Sequence, residues 1–216
     1  MVRLLLSTIL SHADLCGRML QLADRRGAVI VSPCYRLLPE ATGSDILEDI
    51  RDFWAWMYHG LQKIVLEKWS HLCLDLNRVA AGGQGSGGFL ALQSAFLWPD
   101  TRIKAIMAQH CALDPESPAF NPRPRQASPE LDRYVSECLA RVRPGTFRIS
   151  SPFPEYFELL HAVFQTGRWR DLLGDDRSLH IRTNLHQAKE IPPIWMVQGS
   201  TDRLVSIGPS QYGCNF

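Results

Sequence analysis

The sequence predicts an α/β fold, with a central, mostly parallel sheet flanked by helices and a further helical insertion late in the chain. Two observations carry this. Continuous apolar runs of strand length recur at residues 28–32, 79–81, 103–108 and 192–197. Between the first three lie stretches whose apolar residues repeat every three to four positions, and that alternation requires crossover connections and a parallel sheet. With 216 residues the chain fits one domain, 1–216, long enough to bury a sizeable core. Hydrophobic residues make up 45% and charged residues 21%, the composition of an ordinary globular protein. Lys and Arg number 23 against 22 Asp and Glu, so the net charge of +1 recruits neither nucleic acid nor an anionic membrane.

Taken in order, residues 1–10 place one basic residue, Arg3, before a short apolar run. The run is too short and interrupted to span a membrane, and no small-residue cleavage site follows it closely; a cytoplasmic location is the expectation. From 11 to 26, Leu15, Met19, Leu22 and Ala23 recur at helical spacing, and Gly27 ends the helix. Residues 28–32 read as a strand covered on both faces. Ser44 or Asp45 then caps a helix with Ile46, Ile50, Phe53 and Met57 along one side, and Glu48 stands where it completes a capping box on Asp45. Residues 61–74 are amphipathic, 79–81 form the second strand, the helix after it runs to Leu97, and 103–108 form the third strand.

After Asp114 the rhythm breaks. Pro115, Pro118, Pro122, Pro124 and Pro129 mark an extended excursion, and helical patterns follow at 131–142 and 156–164. Residues 115–189 are a candidate cap or lid insertion; equally, these helices complete the core. A last strand leads from Pro192 to Gly199 and then Asp202, a position that turn and capping residues also favour. The six cysteines form no C-x-x-C pair and no metal-like cluster, which suits free thiols in a reducing compartment better than a disulfide framework. No cofactor and no metal are implied.

The chemistry concentrates at residues 78–90, where a small-residue strand turns abruptly on glycines into an apolar helix. That is the outline of a nucleophile elbow, G-x-S-x-G, in which a serine sits on a strained strand-to-helix turn. Two frames fit. In one, Gly83 and Gly87 flank Gly85, with Gly88 following; in the other, Ser86 is central and Gln84 crowds the tightest part of the turn. Tyr35-Arg36-Leu37-Leu38-Pro39-Glu40, with Asp49 and Trp56 downstream, resembles the Y-R-L-x-P-E signature of the hormone-sensitive-lipase-like α/β-hydrolases. Asp75 to Gly88 resembles that family's D-x-x-R, strand, G-x-S-A-G-G segment without a gap. The resemblance sets Gly85 at the family's catalytic serine, leaving the nucleophile position vacant, and Ser86 at the small residue after it. It also sets Asp202 at the acid, because Pro192-Pro193, Gly199, Asp202 and Val205 are similar to P-P-x-x-x-x-x-G-x-x-D-x-x-V. The implied architecture is a partial α/β-hydrolase fold and the implied ancestral activity is carboxylester hydrolysis.

Such hydrolysis needs a serine oxygen, a histidine base, an acid and oxyanion donors, with the triad in the chain order Ser, Asp, His. No histidine follows Asp202; His12, His59, His71, His110, His161, His180 and His186 all precede it. The family's H-G-G-G oxyanion loop is expected at or before the chain's start, and residues 1–10 contain no glycine. The first strands of the usual sheet, and its last strand and helix, are expected to be missing. These features describe a truncated, catalytically degenerate member. Loss of a triad serine or histidine costs on the order of a millionfold in turnover. The leading expectation is therefore a scaffold for a small hydrophobic ligand. The alternative is an active carboxylester hydrolase that uses Ser86 as a shifted nucleophile with Asp202 and a displaced histidine, acting on an ester. A third reading is a non-hydrolytic step assisted by Asp202. Unpaired strand edges also predict self-association.

Overall fold

The computed structural model describes residues 2–8, 17–111, 128–150 and 155–200. Its strands are β1 (Val2–Thr8), β2 (Ala28–Val31), β3 (Leu74–Gln84), β4 (Ile103–Gln109) and β5 (Ile194–Val197). They form one parallel sheet in the order β2-β1-β3-β4-β5. The helices are α1 (Gly17–Arg26), α2 (Gly43–His59), α3 (Leu61–Lys68), α4 (Ser86–Leu97), α5 (Pro129–Ala140), α6 (Glu155–Thr166), α7 (Trp169–Leu173) and α8 (Ile181–Gln187).

The strand β1 corrects the reading of the first residues. The short apolar run after Arg3, to which the sequence assigned no element, is part of a strand that pairs on both sides, with Leu4 opposite Val29 of β2 and Val79 of β3. Seven residues are strand length, and an apolar run that short carries no periodicity to mark it as one. The connection that leaves β1 is therefore residues 9–16, which hold no glycine and lie outside the described residues. From β1 the chain moves outward to β2 and then crosses back over β1 to β3. That reversal makes a switch point at the carboxyl ends of β1 and β3, where open α/β sheets place their ligands.

Strand β2 also departs from expectation. Its four residues are half-buried rather than covered on both faces, because it lies at the edge of the described sheet. Strand β3 is longer than expected, and α3 is shorter, stopping at Lys68. Gln62 of α3 reaches the start of β3, its Oε1 accepting from the Leu74 N–H at 2.8 Å.

Helix α2 begins one turn earlier in logic than the sequence suggested. Thr42, not Ser44 or Asp45, is the N-cap, and Asp45 completes the box: the Thr42 side chain accepts from the Asp45 N–H while the Asp45 carboxylate accepts from the Thr42 N–H. That backbone hydrogen bond holds the Asp45 carboxyl below its ordinary range. Glu48 is released to bond Arg51, and Ser44 donates to Asp176. Ile46, Leu47, Ile50, Trp54 and Met57 form the buried face. Trp54 takes the place expected for Phe53, since its indole N–H reaches the buried Ser94 hydroxyl at 2.9 Å.

The helices between β4 and β5 join the same core. Val135, Val163, Leu172 and Leu179 are buried in one cluster with Met57, Leu92 and Ile106. A polar lock ties α8 to α4: Asn184 donates to Gln93 Oε1 at 2.8 Å and to the Ser178 carbonyl at 2.6 Å, and Gln93 donates to that same carbonyl at 2.9 Å. Both side chains are buried, so each bond removed exposes a desolvation cost. Among the described residues Cys34, Cys73, Cys111 and Cys138 are free thiols. No described helix is long and apolar enough to cross a membrane.

Replacing Asn184 by Ala takes the donor from the buried Gln93 Oε1 and should cost about 2 kcal/mol. That lowers Tm by roughly 6 °C for a chain of this size, readable by calorimetry. Thr42→Ala should cost about 1 kcal/mol through loss of the cap.

Candidate active site

The site is assembled from the turn between β3 and α4 and from the Tyr35–Glu40 segment after β2. Strand β3 ends in Ala81, Gly82 and Gly83, all buried, before the exposed Gln84. A Cβ on Gly83 would lie 2.4 Å from the Gly87 carbonyl carbon and 2.6 Å from its oxygen. A Cβ on Gly88 would lie 2.0 Å from Cys111 Sγ and 2.9 Å from the Gly83 oxygen. Strand and helix therefore touch through bare backbone at Gly83, Gly87 and Gly88, the three glycines the elbow motif singles out. Cys111, packed over Gly88, has its thiol pushed up to about 12 by burial and is no nucleophile.

Gly85 stands at the vertex. Its φ of 54° and ψ of −122° lie where side-chain-bearing residues are strained, and it directly precedes α4. Its N–H donates to the Gln109 carbonyl of β4 at 2.9 Å, and its own carbonyl accepts the first α4 bond from Phe89. A Cβ built on Gly85 meets nothing within 4 Å. The turn thus keeps both the strained backbone and the open space that a side chain there would use. Gln84 lies outside the tight contact and donates to Gln109 Oε1 at 3.0 Å.

Ser86 is the first residue of α4, and it is exposed. Its Oγ shares a hydrogen bond with the Tyr35 hydroxyl at 3.0 Å. Among the described residues no histidine hydrogen-bonds Ser86. Burial raises the Tyr35 phenol above its ordinary range, so Tyr35 is neutral and donates a hydrogen bond more readily than it takes a proton. This tyrosine belongs to the recognised motif, but its pairing with Ser86 had no signal in the sequence, because the two residues meet only through the fold. The N–H groups of the first turn of α4 have no intrahelical acceptor and favour negative charge at this end.

Arg36 explains why Tyr35 is held there. Its backbone N–H and its Nε both bond the Asp49 carboxylate, at 2.8 Å and 2.9 Å, and its Nη2 bonds the Asp45 carbonyl at 2.8 Å. On the other side, Leu37 N–H donates to the Arg148 carbonyl at 2.7 Å, and the Arg148 guanidinium pairs with Glu40 at 3.1 Å. The loop is clamped between α2 and the segment after α5.

Of the predicted site residues, the fold brings together Gly83, Gly85, Ser86, Gly87 and Gly88. Asp202 lies outside the described residues. His110 follows β4 directly, with φ 51° and an exposed side chain, and its N–H donates to Val197 of β5. His59, His71, His161, His180 and His186 lie on other elements, and His12 is outside the described residues. Beneath the turn, a cavity of about 20 Å³ between Pro33, Trp54, Gly82 and Gly87 has room for a water at most. No group of three or more His, Cys, Asp or Glu able to hold a metal occurs among the described residues.

The chain is similar to known proteins in sequence and in fold. The chain is 32% identical over 201 residues to a probable carboxylesterase, M8, of a Phoma species, covering 87% of this chain and 61% of that protein. It is 34% identical over 197 residues to the probable carboxylesterase clz11 of Cochliobolus lunatus, covering 85% of this chain and 87% of that protein. The chain thus spans less than two thirds of the first relative and most of the second. A Staphylococcus aureus protein of unknown function superposes with a TM-score of 0.64 at 17% identity, over 98% of this chain and 74% of its own, which shows the fold. The family model described as the alpha/beta hydrolase fold matches residues 5–208. With its parallel sheet, its glycine-lined strand-to-helix turn and these carboxylesterase relatives, the chain belongs to the hormone-sensitive-lipase-like α/β-hydrolase family.

Proposed function

We propose that this chain is a carboxylesterase-like α/β-hydrolase-fold protein that holds a small hydrophobic ligand and has lost ordinary ester hydrolysis. The observation that carries the reading is Gly85, which has the backbone of an elbow residue, φ 54° and ψ −122°, and no side chain to attack with. Binding and chemistry rest on different residues, so a pocket outlasts its nucleophile. In this reading residues 115–189, whose described helices also pack on the core, serve as a cap over the ligand.

A shifted nucleophile at Ser86 would need a proton acceptor. The partner it has is the Tyr35 hydroxyl, which burial keeps in its neutral form, with no phenolate at hand to take a proton. The surviving role of Ser86 is to offer a hydroxyl and a helix-terminal N–H to a polar group of the ligand.

The purified, folded chain should show no turnover of a short-chain nitrophenyl ester above buffer, and Ser86→Ala should match it. Turnover abolished by Ser86→Ala would overturn the proposal in favour of the shifted nucleophile.

Placing a serine at the vertex tests the turn itself. Gly85→Ser should fold, at a cost of about 1–2 kcal/mol for the positive φ. Because its side chain enters open space, it should become slowly labelled by a fluorophosphonate probe while the parent chain stays unlabelled. Equal labelling of both chains would show that the reactive group lies elsewhere.

A further inference from the structure

Beside Tyr35 lies a groove of about 730 Å³, within the range of small-molecule sites. Its floor is the exit of β2, from Val31 to Tyr35; one wall is Phe53 and Trp56 of α2, and the other is Phe147 and Ile149. The second wall is built. Arg148, between those two residues, is held by its carbonyl on Leu37 N–H and by its guanidinium on Glu40, while Phe147 and Ile149 remain 69% and 51% exposed. Opposite them, Trp56 is 40% exposed and its ring lies 5.9 Å from that of Phe53. Large apolar side chains from separate segments thus stand open to solvent around one cavity, rather than scattered singly.

Charge narrows the occupant. Among the described residues Arg36 is the one cation lining the groove, and Asp49, Asp45 and Glu48 all engage it. Asp52, 72% exposed on the rim, pairs only loosely with Arg51 at 3.6 Å, and Arg51 also serves Glu48. Arg148 is matched by Glu40. Along α2 four carboxylates face two guanidinium groups, Arg36 and Arg51, and among the described residues no uncommitted cation lines the groove to meet an anion.

We infer that the groove between α2 and residues 147–149 binds a flat aromatic small molecule that is neutral or cationic, and excludes carboxylates. The inference rests on the ligand-binding reading above and names its ligand class. A cation sits over Trp56 and Phe147 with Asp52 beside it; an anion meets the acidic rim. A carboxylic acid of the kind an ester hydrolase would release is the ligand least suited to the site.

The test uses three matched, fluorescent tricyclic probes on the full chain: 9-anthracenemethanol, 9-aminoacridine and 9-anthracenecarboxylate, respectively neutral, cationic and anionic at neutral pH. Anisotropy titrations should give saturable one-to-one binding of the first two, with the carboxylate about tenfold weaker or worse. The double variant Phe147→Ser, Ile149→Ser removes two exposed side chains, so its melting curve should be unchanged while both affinities fall by about tenfold or more. Asp52→Asn should weaken the cation by about fivefold and leave the neutral probe alone. Carboxylate binding equal to the cation's, a double variant that binds like the parent, or no saturable binding of any probe would each overturn the inference. Ester turnover by the parent chain would instead overturn the proposed function, whatever the probes do.

Discussion

Between β3 and α4 there is room for backbone and for nothing else. The 2.4 Å approach that a Cβ on Gly83 would make to Gly87, and the 2.0 Å approach of one on Gly88 to Cys111, fix how closely the helix lies on the strand. That closeness forces the chain to reverse direction within a single residue, and so imposes a positive φ on Gly85. It also aims the open end of α4 over the carboxyl edge of the sheet, beside the switch point between β1 and β3. Core packing then follows from the helix's position. Leu92 and Gln93 are buried beneath it, and Gln93 meets Asn184 of α8.

The second organiser is the loop after β2. Arg36 spends its guanidinium on α2, and Arg148 spends its own on Glu40, so the same six-residue motif is gripped from both sides. Tyr35 heads that motif, and the grip carries its hydroxyl to Ser86. A motif that reads as a family signature is thus a mechanical link between the site's mouth and the helices around it. Its charged members, Arg36 and Glu40, are each matched by residues outside the motif, and Leu37 and Leu38 between them are buried in the core.

What was legible in the sequence was local. The glycine spacing at 83, 87 and 88 is a steric rule about neighbours a few residues apart; it left two frames, and the resemblance of residues 75–88 to the family's segment chose Gly85. Strands β4 and β5 and the buried side of α2 followed from apolar runs and helical spacing in the same way. What failed depended on partners far along the chain. Nothing within residues 2–8 shows that β2 and β3 will close on both sides of them. Ser44 and Glu48 looked like capping residues because they are competent to cap; Asp176 and Arg51 claim them instead. The helices α7 and α8 were missed because each is only five to seven residues long, too short for periodicity to show. The bond between Tyr35 and Ser86 spans fifty-one positions and joins two hydroxyls with no shared pattern.

The placement of β1 has a consequence for how the chain is assembled. It is the inner strand between β2 and β3, yet Leu4 meets Val79 only after all of α1, β2, α2 and α3 has been laid down. Among the described strands only β2 is available to pair with β1 before β3 is made, and a two-stranded parallel ribbon is too weak to persist unaided. Its apolar edge must wait for β3, which brings the glycine turn with it. The loop to be closed is long, and the contacts that reward closure are non-local, a combination that slows folding and leaves sticky edges exposed meanwhile. The strand that leads into the turn at the centre of the site is therefore also the one that pairs the second edge of β1.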